Sequence, residues 1–214
     1  MPWLSRGRGM LGRAVIALAA AALSLSAPGL ANAATHEPSA AARDGPFGIA
    51  MGEPLSDLGP LEKLGMKFRV VSPPRPSPDI FGVTVEGFPS TGVCMITGIS
   101  AVNHDDPNAV AAKQIVDQFS DVLATKYGAF TKKIDRCDNN SATCERYLTQ
   151  AIQDESARYG YIWALKAPRS DHLYAFEVLA HSLDANSTVA EVTYFGDNAE
   201  TCSAAEKAAA SSAF

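Results

Sequence analysis

The apolar positions of this chain change period several times, and each change marks an expected element. The stretch "FGVTVEGF" and the stretch "VCMITGIS" flank "PSTG", a four-residue turn with Pro first and Gly last, which predicts a hairpin. With Phe88 opposite Val93, the alternation of strand side chains puts Phe81, Val83 and Val85 on one face with Cys94, Ile96 and Gly98, so Cys94 is expected to point into the core. "LYAFEVLAHS" and "TVAEVTYF" predict a second hairpin. Any pairing with an even residue sum gathers Tyr174, Phe176, Val178, Ala180, Ala190, Val192 and Tyr194 on one apolar face, leaving Glu177, His181 and Glu191 on a partly wet one. "ARYGYIWALK" sets Tyr159, Tyr161 and Trp163 against Gly160, Ile162 and Ala164, the pattern of a strand covered on both faces.

Elsewhere the period is helical. Asp106 before Pro107 is a good helix start, and Ile115, Phe119, Val122, Leu123 and Tyr127 form an apolar stripe that ends at Gly128. A second helix is expected over 141–154, with Cys144 in its first turn and Tyr147, Leu148 and Ile152 as its apolar positions. Asp197 and Glu200 form a capping box for a last, Ala-rich helix that holds Cys202. Upstream, "PFGIAMG" reads as a short strand. Pro54 then opens one or two helical turns marked by Leu55, Leu58, Leu61 and Leu64 and interrupted by Gly59 and Pro60, before "MKFRVVS" makes a further strand. "PPRPSP", residues 73–78, reads as a stiff extended crossing between strands. Together these elements predict an α+β domain: an antiparallel sheet of two hairpin or meander units packed against two or three helices.

The first residues assign a compartment. Arg6, Arg8 and Arg13 precede the apolar run "AVIALAAAALSLSA", and Ala31, Asn32 and Ala33 supply a small-x-small site, so residues 1–33 read as a secretory signal peptide. The run is too short to span a bilayer comfortably. Residues 34–45 are small, polar and aperiodic, a disordered lead-in, and a single domain is expected over 46–214. The expected product is exported, periplasmic or extracellular. Removing the three Arg of the leader from 18 basic residues leaves 15 against 23 acidic ones, a net charge of −8. That negative field, with no Lys/Arg cluster to interrupt it, argues against nucleic acid and membrane surfaces as partners and leaves cationic partners open.

Export changes how the cysteines read. Four of them, an even count in a secreted chain, favour disulfides. Cys137 and Cys144 enclose six residues, too many for a thioredoxin-type redox pair, and no His lies between residues 105 and 171 to complete a zinc site. A staple is the remaining use. If that local bond forms, Cys94 pairs with Cys202 or both stay free, and the loop of about a hundred residues makes such a tie worth roughly 4 to 5 kcal/mol in the chain-entropy model.

Catalytic chemistry has few candidates. The titratable residues worth weighing are His104, His172, His181, Asp105, Asp106, Glu177 and Glu191. His181 with Glu177 or Glu191 could act as an acid/base pair of a hydrolase-type enzyme if the wet face of the second hairpin lined a cleft. His172 and His181 differ by nine positions and would face opposite sides of one strand. Asp105 and Asp106 are too few carboxylates for calcium, and helix capping explains them. No nucleophile elbow, H-E-x-x-H helix or phosphate loop is present, and neither metal nor cofactor is expected. The preferred reading is an exported binding or structural protein without catalysis, and a secreted inhibitor of a cationic enzyme is a further alternative. Tyr159, Tyr161 and Trp163 are the candidate contact for a protein, peptide or glycan ligand, although their other use is as core. "FGIAMGEPLSDL", "GVCMITGIS", "LATKYG" and "SSAF" resemble a family of small bacterial exported α+β proteins. That resemblance implies the fold class and no activity.

Overall fold

A computed structural model describes residues 45–65, 67–137, 144 and 146–211. The expected signal peptide, the lead-in up to residue 44 and residues 141–143 and 145 of the expected second helix lie outside the described residues. Gly45, assigned to the lead-in, is already buried in the fold.

The described strands are β1 (Leu61–Leu64), β2 (Lys67–Val70), β3 (Gly82–Phe88), β4 (Gly92–Ile99), β5 (Lys132–Cys137), β6 (Ala157–Ala164), β7 (Leu173–Asp184) and β8 (Ser187–Gly196). The helices are α1 (Val110–Tyr127), α2 (Leu148–Gln153) and α3 (Ala199–Ser211). All eight strands form one sheet in the order β1-β2-β3-β4-β8-β7-β6-β5, and every neighbouring pair is antiparallel. The expected α+β architecture is therefore the observed one: two four-stranded meanders joined where β4 meets β8.

That join dictates the helix between them. Counting antiparallel steps from β4 through β8, β7 and β6 leaves β4 and β5 parallel, and parallel strands cannot be linked by a tight turn. The chain must cross a face of the sheet. It does so as α1, whose 18 residues span about 27 Å and pack on β6, β7 and β8.

One row of paired side chains runs along this face of the sheet, and its β8–β7–β6 end is what α1 covers. Phe68, Val85, Ile96, Tyr194, Phe176 and Trp163 are successive partners across β2, β3, β4, β8, β7 and β6. Trp163 stacks on Phe176 at 4.8 Å, and Tyr127 of α1 lies 4.7 Å from the same ring. Such large rings leave little depth under a helix, so the buried positions of α1 are Ala112, Val116, Ser120 and Leu123. The expected stripe is thus rotated: Ile115, Phe119 and Tyr127 are half-buried, and Val122 is exposed.

The start of α1 is tied by Asp106. Its Oδ1 accepts from the backbone N–H of Val110 at 2.7 Å and of Ala111 at 3.3 Å, and its Oδ2 accepts from Ala112 N–H at 3.3 Å and from the Thr188 hydroxyl of β8 at 2.7 Å. Its carbonyl accepts the Thr149 hydroxyl of α2. Asp106 caps as expected, but Pro107 opens a turn rather than the helix, and Ala109 adopts a left-handed conformation before α1 begins at Val110.

Several expectations fail for local reasons. "PFGIAMG" is no strand: residues Pro46–Gly48 form a 3-10 turn with Phe47 left-handed, and the Phe47 ring sits over Gly98, where any larger side chain would collide, and edge-on to Tyr194 at 6.0 Å. Of the one or two helical turns expected after Pro54, a single 3-10 turn forms, Leu55–Leu58, because Gly59 and Pro60 end it, and Leu61 and Leu64 pair with β2 instead. In the first hairpin the expected register holds from Gly82 to Glu86, but a bulge between Glu86 and Gly87 sets Phe88 opposite Gly92. Phe81 leaves the core because its neighbour Ile80 takes the inward place. Tyr174 leaves it likewise, since a shift at Leu173 turns Leu173 inward. β6 is covered along its Trp163 face but only in its middle on the other, where Gly160 is buried and Ile162 half-buried while Arg158 and Ala164 at the ends are exposed. Asp197 makes no capping box; it pairs with His172, and α3 starts after Asn198.

Both disulfides form. Cys137 joins Cys144 across seven positions, and Cys94 joins Cys202 across 108, each with Cα atoms 6.3 Å apart. The long tie is the main bond of α3 to the body, so Cys202→Ser is expected to lower the melting temperature by many degrees, the change for a loss of roughly 4 to 5 kcal/mol, with early loss of protection in the last helix by hydrogen exchange. Asp106→Ala strands three helix N–H groups and the Thr188 hydroxyl; calorimetry is expected to show a loss of about 3 kcal/mol, or roughly 5–10 °C for a chain of this size.

Candidate functional site

The aromatic strip proposed from sequence is core. Tyr159, Tyr161 and Trp163 are 4%, 7% and 1% exposed, beneath α1. Both tyrosine hydroxyls donate to Oδ1 of Asp117, at 2.7 and 2.8 Å, and the Trp163 indole N–H donates to the Gly128 carbonyl at 2.9 Å. Lys113 of α1 lies over the Tyr159 ring at 4.3 Å. The three rings fasten α1 to β6 and present no contact surface.

The other face of the sheet carries the polar candidates. Its central row runs Thr84, Thr97, Thr193, Glu177 and Ile162 across β3, β4, β8, β7 and β6. Thr97 and Thr193 share a hydroxyl contact at 3.3 Å, Lys67 meets Glu86 at 2.9 Å and Arg158 meets Glu177 at 3.3 Å. His181 Nε2 lies 3.6 Å from Glu191 Oε2. The structure therefore brings His181 and Glu191 together but commits Glu177 to Arg158. These are cross-strand pairs on a half-exposed face, in which each acid already faces a base.

The remaining titratable candidates are scattered. His104 and Asp105 are exposed in the loop after β4, Asp106 is spent on α1, and His172, left-handed in the loop before β7, pairs through Nδ1 with Asp197 at 3.0 Å. Among the described residues no group of three or more His, Cys, Asp or Glu converges to hold a metal ion.

The concave apolar surface lies elsewhere, where residues 77–81 run beside the outer edge of α1. Phe81 is 73% exposed and Val122 68%. A cavity of about 310 Å³ opens between Pro78, Phe81, Ser100, Ile115 and Phe119, and a second of about 120 Å³ between Phe47, Ile80, Val122, Leu123 and Tyr194. Phe119 and Asp79 line both, so the two cavities adjoin as one surface. Asp79 is its one charged lining residue. The sequence carried a signal for it: Ile80 and Phe81 are adjacent at a strand start, so one of two bulky apolar side chains had to face outward.

Comparison with protein-family models, with curated proteins and with solved structures finds no match to this chain.

Burial fixes the behaviour of two phenols. Burial first, and then the hydrogen bond to Asp117, raises Tyr159 far above the ordinary value of about 10; burial raises Tyr194 in the same direction, with Tyr127 adding to it. The fold holds both in the neutral form, so their contribution to stability is complete below about pH 10 and declines as tyrosines of the unfolded chain ionise above it. Spectrophotometric titration is expected to leave at least two of the six tyrosines un-ionised until the protein unfolds. Reversible ionisation of all six with the fold intact would contradict the packing.

Proposed function

We propose that this chain is an exported binding protein that acts without catalysis and engages a protein or peptide partner through the surface around Phe81 and Val122. The exposure of Phe81 is the observation that carries this reading. A phenylalanine left in water on the lining of one cavity and next to a second, more apolar one has the character of an interface anchor, since aromatic residues that fill pockets supply much of the energy of protein recognition. The near absence of charge on this surface supports an apolar partner segment rather than a charged one. Export is supported by the leader pattern and by two disulfides, which persist in oxidising compartments. Among the described residues no helix is long and apolar enough to cross a membrane.

Photo-crosslinking from position 81 in the producing cell, with position 183 as an exposed control, tests this. The adduct is identified, and the purified pair is measured by calorimetry. Phe81→Ser is expected to weaken binding by about tenfold or more, the scale of an interface hot spot, with the melting temperature unchanged because Phe81 lies outside the core. No adduct specific to position 81, or a Phe81→Ser variant that binds like the parent, overturns the proposal.

A further inference from the structure

A second groove, on the opposite face of the molecule, has chemistry that the Phe81 surface lacks. It opens between α3 and the uncovered side of the sheet and has a volume of about 210 Å³. Phe88, Met95, Phe195 and the Cys94–Cys202 disulfide give it an apolar floor. Its two charged lining residues are both acids, Glu86 from β3 and Glu206 from α3, on opposite walls. Glu86 already shows what it accepts: Lys67 reaches it from the neighbouring strand at 2.9 Å, in a half-exposed pair.

We propose that this groove binds a lysine or arginine side chain presented by a basic segment of a partner protein. The aliphatic stem of such a side chain would lie on Met95 and Phe195, while its cationic head would reach the carboxylates at the rim, the arrangement that long basic side chains adopt on apolar surfaces. The acidic balance of the chain draws a basic segment toward this site and repels an acidic one. Lys67 is no obstacle. An exposed ion pair of this kind contributes little by itself, so an incoming cation can share Glu86 or displace Lys67.

The test uses the whole exported chain and three probes: a blocked Leu-Lys-Leu-Lys-Leu peptide, the same peptide with Glu in place of Lys, and hexylamine. Nuclear magnetic resonance titration of the Lys peptide is expected to shift Met95 and Ser203, with affinity that falls as salt is raised. The variant carrying both E86Q and E206Q keeps the shape of the groove and the melting temperature. It is expected to bind the Lys peptide roughly five- to tenfold more weakly, the scale of two partly exposed charge pairs. Phe81→Ser is expected to leave this binding unchanged, which separates this site from the Phe81 surface. The proposal is overturned if the Glu peptide binds as well, if the shifts fall outside the groove, or if the double variant binds like the parent. Hexylamine that binds as tightly as the peptide would assign the groove to a free amine and overturn the protein segment.

Discussion

The buried carboxylate of Asp106 holds the two halves of this fold in register. The order of the sheet leaves β4 and β5 parallel at a distance of four strands, so the chain has to leave the sheet after β4 and cross its face. Asp106 stands at that departure. One carboxylate satisfies three N–H groups at the start of α1 and the Thr188 hydroxyl on β8, while its carbonyl takes the Thr149 hydroxyl on α2. Thr149 and Thr188 are fully buried, so each hydroxyl needs this acceptor, and the crossing helix, the central strand and the short helix are located by one residue.

The crossing divides the chemistry of the sheet. On the α1 side the row from Phe68 to Trp163 is unbroken, its Tyr194, Phe176 and Trp163 end gives the helix a floor of large rings, and Ala112, Val116 and Ser120 let the helix backbone come close. The aromatic area of Tyr159, Tyr161 and Trp163 is consumed there. On the other side hydroxyls and opposed charges face water. Surfaces left for partners therefore lie at the margins of the packed layer: the flank of α1 where Phe81 was crowded out by Ile80, and the corner where α3 is bonded to the first hairpin.

Both ends of the sheet are guarded against further pairing. β1 is four residues long and carries Glu62 and Lys63, and β5 is polar along nearly its whole length, with Lys132, Lys133, Asp135 and Arg136. Short, charged edge strands resist addition of another chain. The Cys137–Cys144 bond ties the end of β5 to residue 144.

Much of this was legible in the sequence. The two hairpins, the long helix, the fold class and both disulfides followed from period, turn residues and an even cysteine count, because a buried face imposes its period on the strand or helix that supplies it. β5 was missed for the complementary reason: "KKIDRC" buries almost nothing, so no apolar period marks it, and only hydrogen bonding to β6 makes it a strand. Leu61 and Leu64 kept a helical spacing that a strand partner overrode. Alternation alone gave His181 and Glu191 a shared face, but only the register shows that Glu177 is taken by Arg158. Pattern reading could mark Ile80 and Phe81 as a pair but not choose between them, for a physical reason. Which of two adjacent bulky residues turns outward, and whether an aromatic strip is core or contact, depends on what packs above it, and that is decided by elements far away in the chain.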